Sequence, residues 1–176
     1  METINLTINQ DDIYEEVAQT TSYTGAKIVD NPKAGDKEAY ERIFTTDEDK
    51  SALKRFWEEA VTVANDRLKS MFVSGSAPSA DKYEVTLEVS KSFSKLLTPS
   101  IQASLRSYFV MAITGKWFGY ANKQEAAEYI TGAKIMMEDV LRKLYSRKRP
   151  MRPGANKVET IIKPGDLNNS ISTSGN

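Results

Sequence analysis

Six cations crowd the segment from residue 142 to residue 152: Arg142, Lys143, Arg147, Lys148, Arg149 and Arg152. Side chains of this kind at this density neutralise phosphates or an acidic protein surface. The structural alternative is that cations in the last turn of a helix offset the negative end of its macrodipole. No aromatic residue beyond Tyr145 is interleaved with them, which argues against a stacking groove for single strands. Pro150 and Pro153 cannot continue a helix and favour an extended path for the segment.

Two acidic clusters invite a metal reading, Asp47-Glu48-Asp49 and Asp11-Asp12 with Glu15-Glu16. Neighbouring residues at a helix start point in different directions, and carboxylates there favour the positive dipole end without any cation. The chain has no His and no Cys. That removes the commonest general base, the commonest metal ligand and any disulfide framework. Gly115, Gly119 and Gly132 lack the spacing of a phosphate-binding loop. No catalytic residue, metal or cofactor is therefore expected; the alternative left open is an all-carboxylate Mg²⁺ or Ca²⁺ site.

The elements that position these residues follow from hydrophobic periodicity. Ile4, Leu6 and Ile8 alternate with Thr and Asn, as in a strand or an extended arm. Asp11 or Asp12 caps a helix carrying Ile13, Tyr14 and Val17, which the Thr20-Thr21-Ser22 run is expected to end. Residues 24–37 read as a loop, with Gly25, Asn31-Pro32 and Gly35. Thr45 and Glu48 have capping-box spacing before a helix running to about Met71. Its stripe is Leu53, Phe56, Trp57, Ala60, Val61, Ala64, Leu68 and Met71. Residues 74–80 read as a small-residue loop. Tyr83, Val85, Leu87 and Val89 alternate with polar residues and give the clearest strand, within a β element at 82–92.

Thr98-Pro99 opens an apolar helix expected to end near Gly119, and a second helix follows from Asn122 to about Tyr145. So short a connection makes the pair antiparallel. The fold class is thus mainly α: a bundle with long antiparallel helices, a small β element and extended terminal arms. The division is 1–44 as N-terminal arm and short helix, 45–149 as helical core, and 150–176 as C-terminal arm. Ile4, Leu6 and Ile8, with Val158, Ile161 and Ile162, are expected to reach other subunits, because their strand patterns are short and unpartnered.

Net charge is zero, yet residues 1–60 hold 14 acidic and 7 basic side chains and residues 61–176 hold 10 and 17. A chain polarised in this way suits head-to-tail contact between copies, or contact between its own two halves. The start lacks a basic and apolar signal pattern, and no apolar run reaches membrane-spanning length, so an intracellular setting without membrane contact is expected.

Three pieces resemble the helical head–tail connector (adaptor) proteins of tailed bacteriophages. Thr46-Asp47-Glu48-Asp49 leads into the long helix Leu53–Met71, a variable extended region follows, and Pro99-Ser100-Ile101-Gln102-Ala103-Ser104-Leu105 opens an apolar helix ending in Lys116-Trp117-Phe118. The likeness covers about residues 45–145. It implies a virion structural protein without enzymatic activity, forming a ring that is often twelvefold. The ring would dock between the portal protein and tail or neck proteins, with packaged DNA passing through it. The longer N-terminal region and the polar tail depart from that pattern. The alternative expectation is a helical DNA-binding protein that uses segment 142–152.

Overall fold

A computed structural model describes residues 1–29, 49–75, 77–121 and 123–148. Four helices and one three-stranded antiparallel sheet make up these residues, so the fold is mainly helical with a small β element. Strand β1 (Glu2–Asn9) runs directly into helix α1 (Gln10–Val29). Helix α2 (Lys50–Leu68) tightens into a 3₁₀ turn at Lys69–Met71 and passes into strand β2 (Phe72–Gly75). Strand β3 (Lys82–Val89) and a 3₁₀ turn at Lys95–Leu97 lead to helices α3 (Thr98–Ala121) and α4 (Lys123–Leu144).

Period-two alternation places Ile4, Leu6, Ile8, Tyr83, Val85, Leu87 and Val89 on one sheet face, and all are buried. β3 is the central strand. It pairs with β1 in unbroken antiparallel register from Glu2↔Val89 to Asn9↔Lys82, and with β2 across an irregularity between Phe72 and Ser74. This corrects the expectation of an N-terminal arm: Ile4, Leu6 and Ile8 fill the core of their own chain. Three strands on an apolar layer bury a face that a lone strand leaves wet.

Two other expectations also change. Helix α1 continues past Thr20-Thr21-Ser22 to Val29. The Thr20 hydroxyl donates to the Glu16 carbonyl at 2.8 Å and the Thr21 hydroxyl to Ala18 at 3.1 Å, so these residues satisfy their polar groups within the helix. Ile13, Val17 and Thr21 recur every fourth residue on the buried side. The segment read as a loop from residue 74 begins with the last residues of β2. The capping residues Thr45 and Glu48 lie outside the described residues.

Helix α2 buries the expected stripe, with Trp57, Ala64 and Leu68 wholly enclosed. Trp57 stacks on Phe109 of α3 with centroids 4.8 Å apart, and Phe109 also meets Tyr83 of β3 at 5.2 Å and Tyr108 at 5.2 Å. The Trp57 indole donates to the Ala80 carbonyl at 2.9 Å, and the Tyr108 hydroxyl donates to the Ala60 carbonyl at 3.0 Å. Leu105 is buried, and Trp117 is partly buried, beside a small cluster of Phe118, Ala126 and Tyr129.

Helices α3 and α4 run antiparallel, since Gly115 lies against Ile130 and Ser104 against Asp139. Gly115, rather than Gly132, sets how closely they approach. A Cβ at Gly115 would stand 2.9 Å from Ile130 Cγ1 and 3.1 Å from the Ile130 backbone nitrogen; at Gly132 it would meet only the end of the flexible Met111 side chain. No described helix is long and apolar enough to cross a membrane.

Truncating Phe109 to alanine empties the meeting point of α2, α3 and β3. The expected loss is ~3–5 kcal/mol, measured by urea unfolding. Gly115→Ala forces α4 away from α3 and is expected to cost ~1–3 kcal/mol by the same assay, the usual range for overpacking.

Candidate interaction surfaces

The basic segment begins on the last turn of α4, and the structure divides its members. Lys143 Nζ lies 2.5 Å from Asp139 Oδ2 and 2.7 Å from the Ser104 hydroxyl. Arg142 pairs with Asp139 Oδ1, and Ser104 donates to Asp139 Oδ2 at 2.8 Å. Asp139 is one helical turn from both cations, which is the spacing that lets side chains on a helix meet. Hydrogen bonds from Lys143, then Arg142, then Ser104 hold the Asp139 carboxyl well below the usual carboxylate range. One of the six cations, Lys143, therefore ties α4 to α3, and a second, Arg142, is held within α4.

Arg147 and Lys148 are exposed. The Lys148 backbone N–H donates to the Ser92 carbonyl at 2.7 Å, which fixes the chain's exit beside the end of β3. Arg149, Arg152, Val158, Ile161 and Ile162 lie outside the described residues. Of the acidic clusters, Asp47 and Glu48 also lie outside them. At the start of α1, Asp12 accepts from the Asn9 amide at 3.2 Å and Glu16 pairs with Arg106 at 2.9 Å. No group of three or more acids is placed to hold a metal among the described residues.

Sequence reading missed an apolar groove where α2, α3 and α4 meet. Val63, Ala112, Ile130, Ala133, Met137 and Leu141 line about 220 Å³ there. Val63 is 47% exposed and Ile130 42%. Arg67, Lys116, Lys134 and Glu138 form its charged rim, with Lys116 also paired to Glu59 of α2. The available signal was that Val63 and Ile130 fall off the buried stripes of their helices. A second opening of about 760 Å³ lies between β1 and the first turns of α3, lined by Thr7, Ile8, Asn9, Thr98, Gln102 and Arg106 among others.

The described residues thus carry an apolar groove, a fixed basic exit and a cleft beside the end of β1. No family model, curated protein or solved structure matches the chain.

The Asp139 pairing carries a pH signature. A carboxyl whose folded pKa is depressed contributes stability above its unfolded pKa and loses it as pH falls through the folded value. Asp139→Asn is expected to be less stable than the parent at neutral pH. The gap should narrow progressively below about pH 4, where the unfolded carboxylate takes up its proton. Denaturant midpoints of both proteins between neutral and strongly acidic pH measure it.

Proposed function

We propose that this chain is a structural assembly subunit, a head–tail adaptor of a tailed-bacteriophage particle that forms a ring between portal and tail or neck proteins. It acts in the virion neck by docking, with no catalytic step, no cofactor and no membrane. The observation that carries the reading is the groove of α2, α3 and α4. Half-exposed Val63 and Ile130 share one apolar depression with a charged rim. Apolar surface gathered in this way and edged by charge is what a covering protein buries. The connector-like helices at about 45–145 and the split of charge along the chain add support. The pairing of β1 with β3 removes one earlier argument, that the strand patterns need partners from other copies.

A second reading, DNA contact through 142–152, draws on the exposed Arg147 and Lys148. It is weakened because Arg142 and Lys143 are already held by Asp139. Binding to random-sequence duplex that falls steeply with salt would favour it.

The assembly reading is tested by the mass of the purified chain in solution, with negative-stain imaging. Closed oligomers are expected. Val63→Glu should change folding stability by no more than ~1 kcal/mol, as surface changes do, and should abolish them. A parent chain that stays monomeric at high concentration and with candidate portal or tail proteins would sink the proposal.

A further inference from the structure

Among the described residues strand β1 lies at one edge of the sheet, and its outward side can be read from the register. Gln10 N–H donates to the Asp81 carbonyl at 3.0 Å, which extends the β1–β3 ladder by one pair. Hydrogen-bonded and non-hydrogen-bonded pairs alternate along an antiparallel ladder. The even-numbered residues of β1 therefore bond to β3, and the N–H and C=O groups of Thr3, Asn5, Thr7 and Asn9 point away from it. Gln102 agrees and already occupies one of these groups: its side-chain amide donates to the Thr7 carbonyl from α3 at 3.1 Å, so an added strand must displace it or pair with the remaining groups.

Proteins usually blunt such an edge with lysine, proline or a bulge. Glu2–Asn9 contains no Lys and no Pro, and its register with β3 shows no shift. The cleft of about 760 Å³ lies beside the last three residues of this edge, Thr7, Ile8 and Asn9. At the Asn9 end it adjoins a depression lined by Asp12, Glu15 and Glu16, with Arg106 common to both. The edge thus opens at one end onto an acidic surface.

We propose that the β1 edge accepts residues 158–162 of a second copy of this chain, Val158-Glu159-Thr160-Ile161-Ile162, as an antiparallel fourth strand. The inference rests on the assembly reading above and specifies one contact within it. An incoming antiparallel strand arrives at the Asn9 end. The cations that precede it, Arg149, Arg152 and Lys157, then meet Asp11, Asp12, Glu15 and Glu16. Main-chain hydrogen bonds supply the affinity in strand addition, and charge sets the direction.

The chain's own segment is worse placed. It departs from Lys148, which is tied to Ser92 just past Val89, the residue opposite Glu2. Pairing from that starting point would bring it to the Glu2 end first and parallel to β1, with its cations far from the acids. To pair antiparallel it must first travel the length of an eight-residue strand, about 26 Å. Residues 149–157 span at most about 32 Å fully extended, with two prolines and a glycine among them. Exchange between copies meets no such limit, and it is the head-to-tail contact from which rings close.

A cysteine-free chain makes the test direct. Full-length Asn5→Cys protein is mixed with isotopically heavy Thr160→Cys protein, treated with a short bis-maleimide and read by mass spectrometry. Heavy–light cross-links are expected. Their yield should drop at least about tenfold, the effect of 1.4 kcal/mol, when Glu128→Cys replaces Asn5→Cys. It should drop similarly with Thr3→Pro, which removes one outward N–H without touching the β3 ladder. Ile162→Pro, placed outside the described fold, should act in the same way. Yields equal to the Glu128 control, or a double variant that only closes on itself, overturn the inference. Native mass of the untreated parent separates the two claims. Closed oligomers without this cross-link refute the strand contact and leave the assembly reading standing. Cross-linked open chains that never close support the contact and refute the ring. Monomers without cross-links refute both.

Discussion

Everything in this fold depends on the burial of one ring, Phe109. It is wholly enclosed and touches Trp57 from α2 and Tyr83 from β3, with Tyr108 beside it. Two helices and the sheet reach one another through that side chain. The polar ends of its neighbours are directed accordingly: Trp57 donates to the Ala80 carbonyl and Tyr108 to the Ala60 carbonyl. Buried aromatic groups with a polar handle need such partners. These two bonds fix the approach to β3 against α2 and α2 against α3. The Tyr83 hydroxyl has no partner among the described residues, so its ring, rather than its oxygen, stabilises the site.

Local pattern carried much of this into the sequence. Alternation in residues 3–9 and 83–89 marks two strands, and the stripe from Leu53 to Leu68 marks α2 and its buried side. What alternation cannot encode is the partner. Ile4, Leu6 and Ile8 look the same whether they pair with β3 of their own chain or with a strand of another. Only the apolar layer beneath decides, and it is built from distant helices. Thr20-Thr21-Ser22 misled for a related reason. Their weak helix propensity is real, but hydroxyls that bond back to the preceding turn remove the conflict. β2 was hidden because it is short, and three of its four residues are exposed.

The interaction surfaces were half legible. The spacing of Asp139, Arg142 and Lys143 could have signalled local pairing, whereas the Ser104 hydroxyl that completes the network comes from another helix. The groove was beyond reach, because it forms from residues that each look like an isolated apolar exception on its own helix. Charge polarity along the chain was visible from the start. The structure adds geometry to it: acidic residues gather at the first turns of α1, while the exit of α4 is fixed at Ser92, past the opposite end of the β1–β3 pair.

The central position of β3 has a consequence during synthesis. Both of its neighbours, β1 and β2, precede it in the chain. An emerging polypeptide must therefore hold the apolar strand β1 ready until the middle strand has left the ribosome. Contacts of such long separation pay their loop-closure entropy before they are rewarded, and they form slowly. Until then Ile4, Leu6 and Ile8 lack their cover, on a ribbon whose one charge is Glu2 and which can pair with the same ribbon on a neighbouring nascent chain. Crowded polysomes are thus a hazard for this protein, before α3 and α4, which follow β3, can shield the sheet.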